Sequence, residues 1–409
     1  MARSTQNGGR KRVPMTLDPA TQIRRFTSDI IDEARLEKLL GEAKRPLRVK
    51  FGIDPTFTDV HLGHGVPMRL LRRFQMLGHL PVLIIGDGTA RLGDPTGRND
   101  QRPPLSVEEV AHNAATYLEQ IGNLLDLDPQ LCEVRHNSEW FGKMDFFDAL
   151  KLAAEGTAAR LLERDDFRKR MDAQLPVHMH EMMYPLMQGW DSVMVEADIE
   201  IGGNDQLFNL HMGRQLQERH GQAPQVCLTT PLLLGTDGRK MSKSYGNHVG
   251  LNATAEEMYG KVMSLSDEGM ADWFRLATDL EEAEYQELLA GHPRQAKDRL
   301  ARLVTAQIHS QEAADAAAQE FTRRFRGGEL PSDIPEFQLA EASWSLPNLM
   351  KEVQLAQSTS EARRLIQGGG VKLDGEALKD VKHVIELTAG GEGLVLQAGK
   401  RRFARLFLA

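Results

Sequence analysis

At 409 residues the chain is too long for one ordinary core, so two or three domains are expected. A hydrophobic fraction of 41% with 26% charged residues excludes chain-wide disorder, and Cys132 and Cys227 alone cannot build a disulfide framework or a four-ligand zinc site. A formal net charge of −8 argues against nonspecific coating of nucleic acid, no apolar run approaches the ~20 residues of a membrane helix, which argues against membrane residence, and the two cysteines fit a reducing cytoplasm.

Residues 1–14 are polar and basic without the apolar stretch of a secretory signal, and read as a disordered extension. Residues 48–53 alternate toward a strand that stops at Asp54-Pro55, where proline ends the ladder. Helical periodicity then covers 65–77, with Pro67 tolerated in a first turn whose N–H groups lack partners anyway. Residues 81–86 read as a buried strand, and Ser106-Val107-Glu108-Glu109 has the form of a capping box opening a helix to about 125. Strand and helix in alternation predict an α/β domain with a parallel sheet and crossover helices. Ligands in such sheets sit at the carboxyl ends of strands, which places the site where Ile53 hands over to Asp54.

Further along, 157–171 and 181–195 read as helical, Gly202 to Gln206 as a turn feeding another helix, and 226–234 as a strand. From 253 to 326 the chain is rich in Ala, Glu, Arg and Leu with little strand signal, which predicts an all-helical domain. Gly327-Gly328, Pro331 and Pro335 mark a linker. Beyond 343 a compact unit ends in a hairpin-like stretch around Gly399; residues 342–409 carry ten Lys/Arg against seven Asp/Glu, a basic tail on an acidic body that suits an RNA surface. The expected division is an extension over 1–14, a catalytic domain over 15–250, a helical domain over 251–330, a linker over 331–342 and a last domain over 343–409.

Two short segments carry the chemistry. His61-Leu62-Gly63-His64 and Lys240-Met241-Ser242-Lys243-Ser244 each set two positively polarisable side chains three residues apart, so both members of a pair can face one anion. A polyphosphate fits between them. The histidines fall at a helix entry, where free N–H groups already favour anions and imidazoles can donate to phosphates as charge moves. The lysines lie among Gly235, Gly238, Ser242 and Ser244, a stretch expected to be mobile enough to close over departing pyrophosphate. Tyr184, Gln188 and Asp191 share one helical face; a row of inward polar groups needs partners, and a zwitterionic amino acid with a distal hydroxyl supplies them. Competing motifs are incomplete: 235–240 lacks the second glycine of a P-loop, Gly86-Asp87-Gly88 lacks the third glycine of a dinucleotide fingerprint, and His178-Met179-His180-Glu181 lacks a metalloprotease frame.

The histidine and lysine segments resemble the signature pair of the class I aminoacyl-tRNA synthetases. From about Lys50 to the C-terminus, Phe51-Gly52-Ile53-Asp54-Pro55-Thr56, Gly93-Asp94-Pro95-Thr96-Gly97, Tyr184-x-x-x-Gln188-x-x-Asp191 and Gly202-Gly203-x-Asp205-Gln206 are similar to motifs of the bacterial tyrosyl enzymes. The resemblance implies a Rossmann-like catalytic domain, an all-helical domain and a small S4-like α+β domain. It also implies that Asp94, Tyr184 and Gln188 hold the substrate ammonium and that Asp191 accepts the phenol hydroxyl. Gly203 and Asp205 would contact the ribose, Gln206 the reacting carboxylate and α-phosphate. Gly52, Asp54 and Thr56 would lie beside the phosphates with His61, His64, Lys240 and Lys243. Many members carry a tyrosine where this chain has Lys50, so Lys50 is expected among the substrate contacts; Trp190 stands where a tyrosine is usual and is read as packing. In the S4-like unit Arg363, Arg364, Lys372, Lys400, Arg401 and Arg402 are the candidates for an RNA backbone.

The implied activity takes ATP as substrate, with Mg2+ carried by the nucleotide and no resident metal, and joins L-tyrosine to tRNA(Tyr). A homodimer is implied by the resemblance and suggested by apolar helical segments near 144–152. One rival is a tryptophanyl synthetase, which usually lacks both the Tyr/Gln/Asp row and the S4-like tail. A second is a silent RNA-binding paralogue, against which stand all four cationic side chains of the signature pair.

Overall fold

The computed structural model describes residues 18–56, 58–91, 106–326, 334–387, 393–399 and 402–408. The chain divides into two compact units, Met1–Ala318 and Gln319–Ala409.

The first unit is built on a six-stranded sheet of β1 (Asp29–Ile31), β2 (Arg48–Ile53), β3 (Leu80–Ile85), β4 (Glu133–His136), β5 (Ile199–Gly203) and β6 (Val226–Thr230). Its order is β1-β6-β5-β2-β3-β4. All neighbours are parallel except β1, which runs antiparallel along β6. The chain builds outward from β2 to β4, then returns to lay β5 on the other side of β2. Strand order therefore reverses between β2 and β5, and a crevice opens at their carboxyl ends. Val82, Leu83, Ile84 and Ile85 are all buried, the continuous apolar run of a strand covered on both faces.

Four helices frame the crevice: α1 (Leu62–Met76), α2 (Val107–Ile121), α3 (Met179–Met194) and α4 (Leu207–Arg219). The Ser106 capping box forms as expected, Glu109 N donating to Ser106 Oγ at 3.1 Å and Ser106 N to Glu109 Oε2 at 2.8 Å. Helix α1 begins earlier than periodicity suggests, because His61 takes the extended N-cap position ahead of the first apolar residue. The strand beginning at Val226 stops at Thr230, since Pro231 cannot continue a ladder. The stretch 157–171 holds two short helices, Ala158–Leu161 and Asp165–Asp172, with extended Arg164 between them. Three strands carried no clear signal: β1 has three residues, β4 is the polar edge sequence Glu-Val-Arg-His, and β5 ends in the two glycines that read as a turn.

Beyond the lysine segment come the helices Ala255–Met263, Met270–Ala277, Glu282–Ala290, Pro293–Ile308 and Gln311–Arg326. The Arg25 guanidinium donates to the carbonyls of Arg275, Phe274 and Thr278 at 2.8, 3.1 and 3.1 Å, satisfying orphan acceptors at a helix end. Trp273 Nε1 donates to Leu234 O at 3.0 Å, tying this layer to the base of the lysine loop. No helix among the described residues is long and apolar enough to cross a membrane.

The second unit carries β7 (Glu336–Leu339), β8 (Ser343–Ser345), β9 (Val371–Leu373), β10 (Glu376–Leu378), β11 (Val384–Glu386), β12 (Leu394–Ala398) and β13 (Arg402–Leu408). The expected hairpin is β12 with β13, turning at Gly399 with φ 67°. It lies within a five-stranded sheet ordered β10-β9-β12-β13-β7, beside the pair β8 and β11. Helix Thr359–Gln367 turns Ala362 and Ile366, one turn apart, into a core with Leu349, Met350, Leu396 and Ala404.

Candidate active site

The crevice floor is visible in one glycine. Gly52 lies in the central strand β2 yet is exposed, and among the described residues a Cβ there would meet nothing within 4 Å, which leaves room at the point where strand order reverses. Asp54 follows at the strand end. Its Oδ1 accepts from Thr89 Oγ1 at 2.7 Å and its Oδ2 from the Tyr184 hydroxyl at 2.8 Å. The approach is so close that a Cβ on Gly86 would stand 1.9 Å from Asp54 Oδ1, which is why that position takes glycine. Thr56 lies just beyond, its N–H on Asp54 O at 2.7 Å.

The distant histidine and lysine segments meet through the backbone. Leu62 N donates to Val249 O at 2.9 Å, Leu251 N donates to Val60 O at 2.8 Å, and His61 bridges Gly250. This short zipper sets the lysine loop against the start of α1. The His61 and His64 rings stack with centroids 3.8 Å apart. Burial, reinforced by His64, His248 and Lys240, pushes the His61 imidazole down to about 3. His64 keeps solvent access on its outer face and is also held below the ordinary histidine value, by desolvation first and then by Lys240. Both rings are therefore neutral N–H donors at pH 7 until an anion arrives.

The lysine loop is firm at its base and open at its tip. Asn247 accepts from Ser242 N at 2.9 Å through Oδ1 and donates through Nδ2 to Asp237 Oδ1 at 2.7 Å and Lys240 O at 3.1 Å. Lys243, Ser244 and Tyr245 are exposed. The Lys243 ammonium pairs with Asp59, which is thereby held below the usual carboxylate range.

The inward row on α3 is present with its spacing. Tyr184 reaches Asp54, while Gln188 Oε1 accepts from Asn209 Nδ2 at 2.8 Å, and the same amide donates to Gln206 Oε1 at 2.8 Å. Asn209 Oδ1 is buried without a hydrogen-bond partner among the described residues. Asp191, 4% exposed, accepts from Trp140 Nε1 at 2.9 Å and lies 3.5 Å from Asn137 Nδ2. Burial pushes its carboxyl up to about 7, against the opposing pull of Lys50 and these two donors. Gly203 ends β5 next to Asp205, whose carboxylate is exposed at the crevice rim.

Lys50 requires a correction. It is 0% exposed, and its ammonium donates to Gln188 O at 2.8 Å, Ser192 Oγ at 2.7 Å and Glu200 Oε1 at 2.8 Å. Three acceptors use all three protons, so no donor is left for a direct substrate contact. Trp190 packs against the buried cluster that holds Leu186, Met212 and Leu216 and meets the His220 ring edge-on at 4.8 Å between centroids. Asp94, Lys400 and Arg401 lie outside the described residues.

The family model of tRNA synthetases class I (W and Y) matches residues 42–326, and that of the tyrosine–tRNA ligase SYY-like C-terminal domain matches 328–406. A tyrosine–tRNA ligase of Moorella thermoacetica is 50% identical over 395 residues, covering 94% of this chain and 94% of that protein. The chain belongs to the tyrosine–tRNA ligase family. A second ligase of the family, from Haemophilus influenzae, is 47% identical over 393 residues, covering 95% of this chain and 96% of its own. A C-terminally truncated mitochondrial tyrosyl-tRNA synthetase of Aspergillus nidulans shares the fold, with a TM-score of 0.64 at 22% identity over 75% of this chain and 93% of that one.

Within this ligase framework several contributors went unread in the sequence. Thr89, Asn137, Trp140 and Asn209 come from loops or helix positions whose polar tips converge only in three dimensions. Glu200 left a trace: a charge in the apolar strand Ile-Glu-Ile, matching Lys50 in another strand, signals a buried pair. In the second unit Arg363, Arg364 and Lys372 are exposed, and Arg402 pairs with Glu361 at 3.3 Å.

Proposed function

We propose that this chain activates L-tyrosine with ATP, forming tyrosyl-adenylate and pyrophosphate, and then transfers the tyrosyl group to the 3′-terminal ribose of tRNA(Tyr). The observation that carries this reading is the zipper from Val60 to Leu62 with Val249 to Leu251, which brings the imidazole pair and the lysine loop together.

In the first step the tyrosine carboxylate attacks the α-phosphorus in line. The new C–O–P linkage forms as the bridge to the β-phosphate breaks, and negative charge builds on pyrophosphate. His61 and His64 donate N–H groups, and Lys240 and Lys243 supply positive charge where it grows. Gln206 faces the carboxylate and α-phosphate, and Gly52, Asp54, Thr56, Gly203 and Asp205 line the nucleotide side. Tyr184 and Gln188, with Asp94, hold the ammonium, and Asp191 accepts the phenol proton. Phenylalanine would leave that buried acceptor unpaired, a large penalty. Mg2+ would travel with the triphosphate; among the described residues Asp54 is engaged by Tyr184 and Thr89, and Asp59 by Lys243.

Arg363, Arg364, Lys372 and Arg402, with Lys400 and Arg401, would lay positive charge along the tRNA backbone. A homodimer fits the exposed side chains of Phe146, Phe147 and Leu150, an apolar cluster that a lone subunit would leave in water. A cytoplasmic setting fits an enzyme of translation.

Amino-acid-dependent ATP–pyrophosphate exchange across all twenty amino acids tests the proposal. Exchange driven by tyrosine alone is expected. Exchange driven by tryptophan but not tyrosine would overturn it.

A further inference from the structure

Lys50 and Glu200 occupy paired positions on β2 and β5 and are 0% and 1% exposed. The second Glu200 oxygen accepts from Ser192 Oγ at 3.0 Å and from Gln225 Nε2. Gly213 on α4 makes room for this knot, since a Cβ there would stand 2.6 Å from Gln225 Nε2. Removing two charges from water costs several kcal/mol per ion before their attraction returns any of it, and well-packed apolar side chains would often serve stability as well. The position of the pair suggests another use. Gln188 and Ser192, both held by the Lys50 ammonium, bracket Asp191 on α3. Among the described residues the charged groups that bear on Asp191 are Lys50 from β2 and Glu200 from β5, while the donors from the segment after β4, Trp140 and Asn137, are neutral.

We propose that Lys50 and Glu200 are positioning residues that set the charge on Asp191: Lys50 favours the carboxylate that can accept a phenol proton, and Glu200 restrains that bias. The proposal rests on the reading of Asp191 as the phenol acceptor. It deepens that reading, because the specificity group is governed by a buried pair that never touches substrate. Burial alone would leave Asp191 a neutral acid, which offers a proton where the phenol also offers one.

The two partners act with opposite sign, and that separates the proposal from simple structural support. Glu200→Gln leaves the ammonium unopposed, so Asp191 ionises at lower pH and the acid limb of kcat/KM for tyrosine moves down by ~1 pH unit. Lys50→Met leaves Glu200 facing Asp191, and the limb moves up by a similar amount. The same opposed shifts are expected in ligand-free protein, in the protonated-carboxyl infrared band that Asp191→Asn deletes. That second readout holds whatever amino acid is the substrate, so failure of the functional reading is distinguishable from failure of the pairing. Limbs that stay in place, or move in the same direction for both variants, would overturn the proposal. Should Lys50→Met not fold, Glu200→Gln decides alone: a limb and an infrared band that stay put or move upward refute it.

Discussion

Around Asp191 the polar atoms are buried and tied to fixed partners from β2, β5, α3 and the segment after β4, whereas the Lys243 ammonium is 72% exposed and pairs with Asp59. Both regions belong to the site proposed above. The difference fits the tasks proposed for them. Telling tyrosine from phenylalanine requires an acceptor whose place and charge are set before substrate arrives. Neutralising a departing pyrophosphate requires a cation free to follow it.

Three perturbations would break or sharpen this contrast. The largest effect is expected from Lys243→Ala, which should depress adenylate formation by ~10²–10³ while leaving tyrosine binding nearly intact. Single-turnover kinetics beside equilibrium dialysis with tyrosine checks it, and an equal loss in both would contradict the assignment. Next comes Asp191→Asn, which should cut tyrosine activation by ~10² and leave the phenylalanine rate almost unchanged.

The same Asp191 variant should also be the more stable protein above neutral pH. A carboxyl raised to about 7 contributes stability that is whole below its ordinary value of 3.8 and is lost as pH rises through about 7. The wild type therefore carries a cost at pH 8 that the amide does not, on the order of 4 kcal/mol. Thermal melts at pH 5 and pH 8 should show the wider gap at the higher pH. The smallest effect belongs to Asp59→Asn. An exposed pair is worth ~0–1 kcal/mol, so freeing Lys243 should lower the KM for ATP no more than ~5-fold. A raised KM would mean instead that Asp59 aims the lysine.

Much of the catalytic half is legible along the chain because its signals are local. The Asp54-Pro55 stop, the Ser106 capping box and the spacing of Tyr184, Gln188 and Asp191 depend on neighbours within a turn or two, and each appears where local rules put it. Strands β4 and β5 were hidden for the opposite reason. An edge strand of mixed polarity and a strand ending in Gly-Gly owe their form to the ladders they join. Lys50 shows the limit for a single side chain: family likeness places it beside the substrate, but the three acceptors that claim its ammonium come from positions 188, 192 and 200.

Residue order is enough, then, to single out the alternating α/β plan, the paired histidine and lysine segments and the polar face of α3, since periodicity and helix-end chemistry act over a few residues. Folding in three dimensions alone decides that His61 lies against Gly250, that Trp140 and Asn137 hold Asp191, and that Lys50 is spent on Glu200. Charge and hydrogen bonding between groups far apart in the chain depend on distance and desolvation, and neither exists until the sheet has assembled.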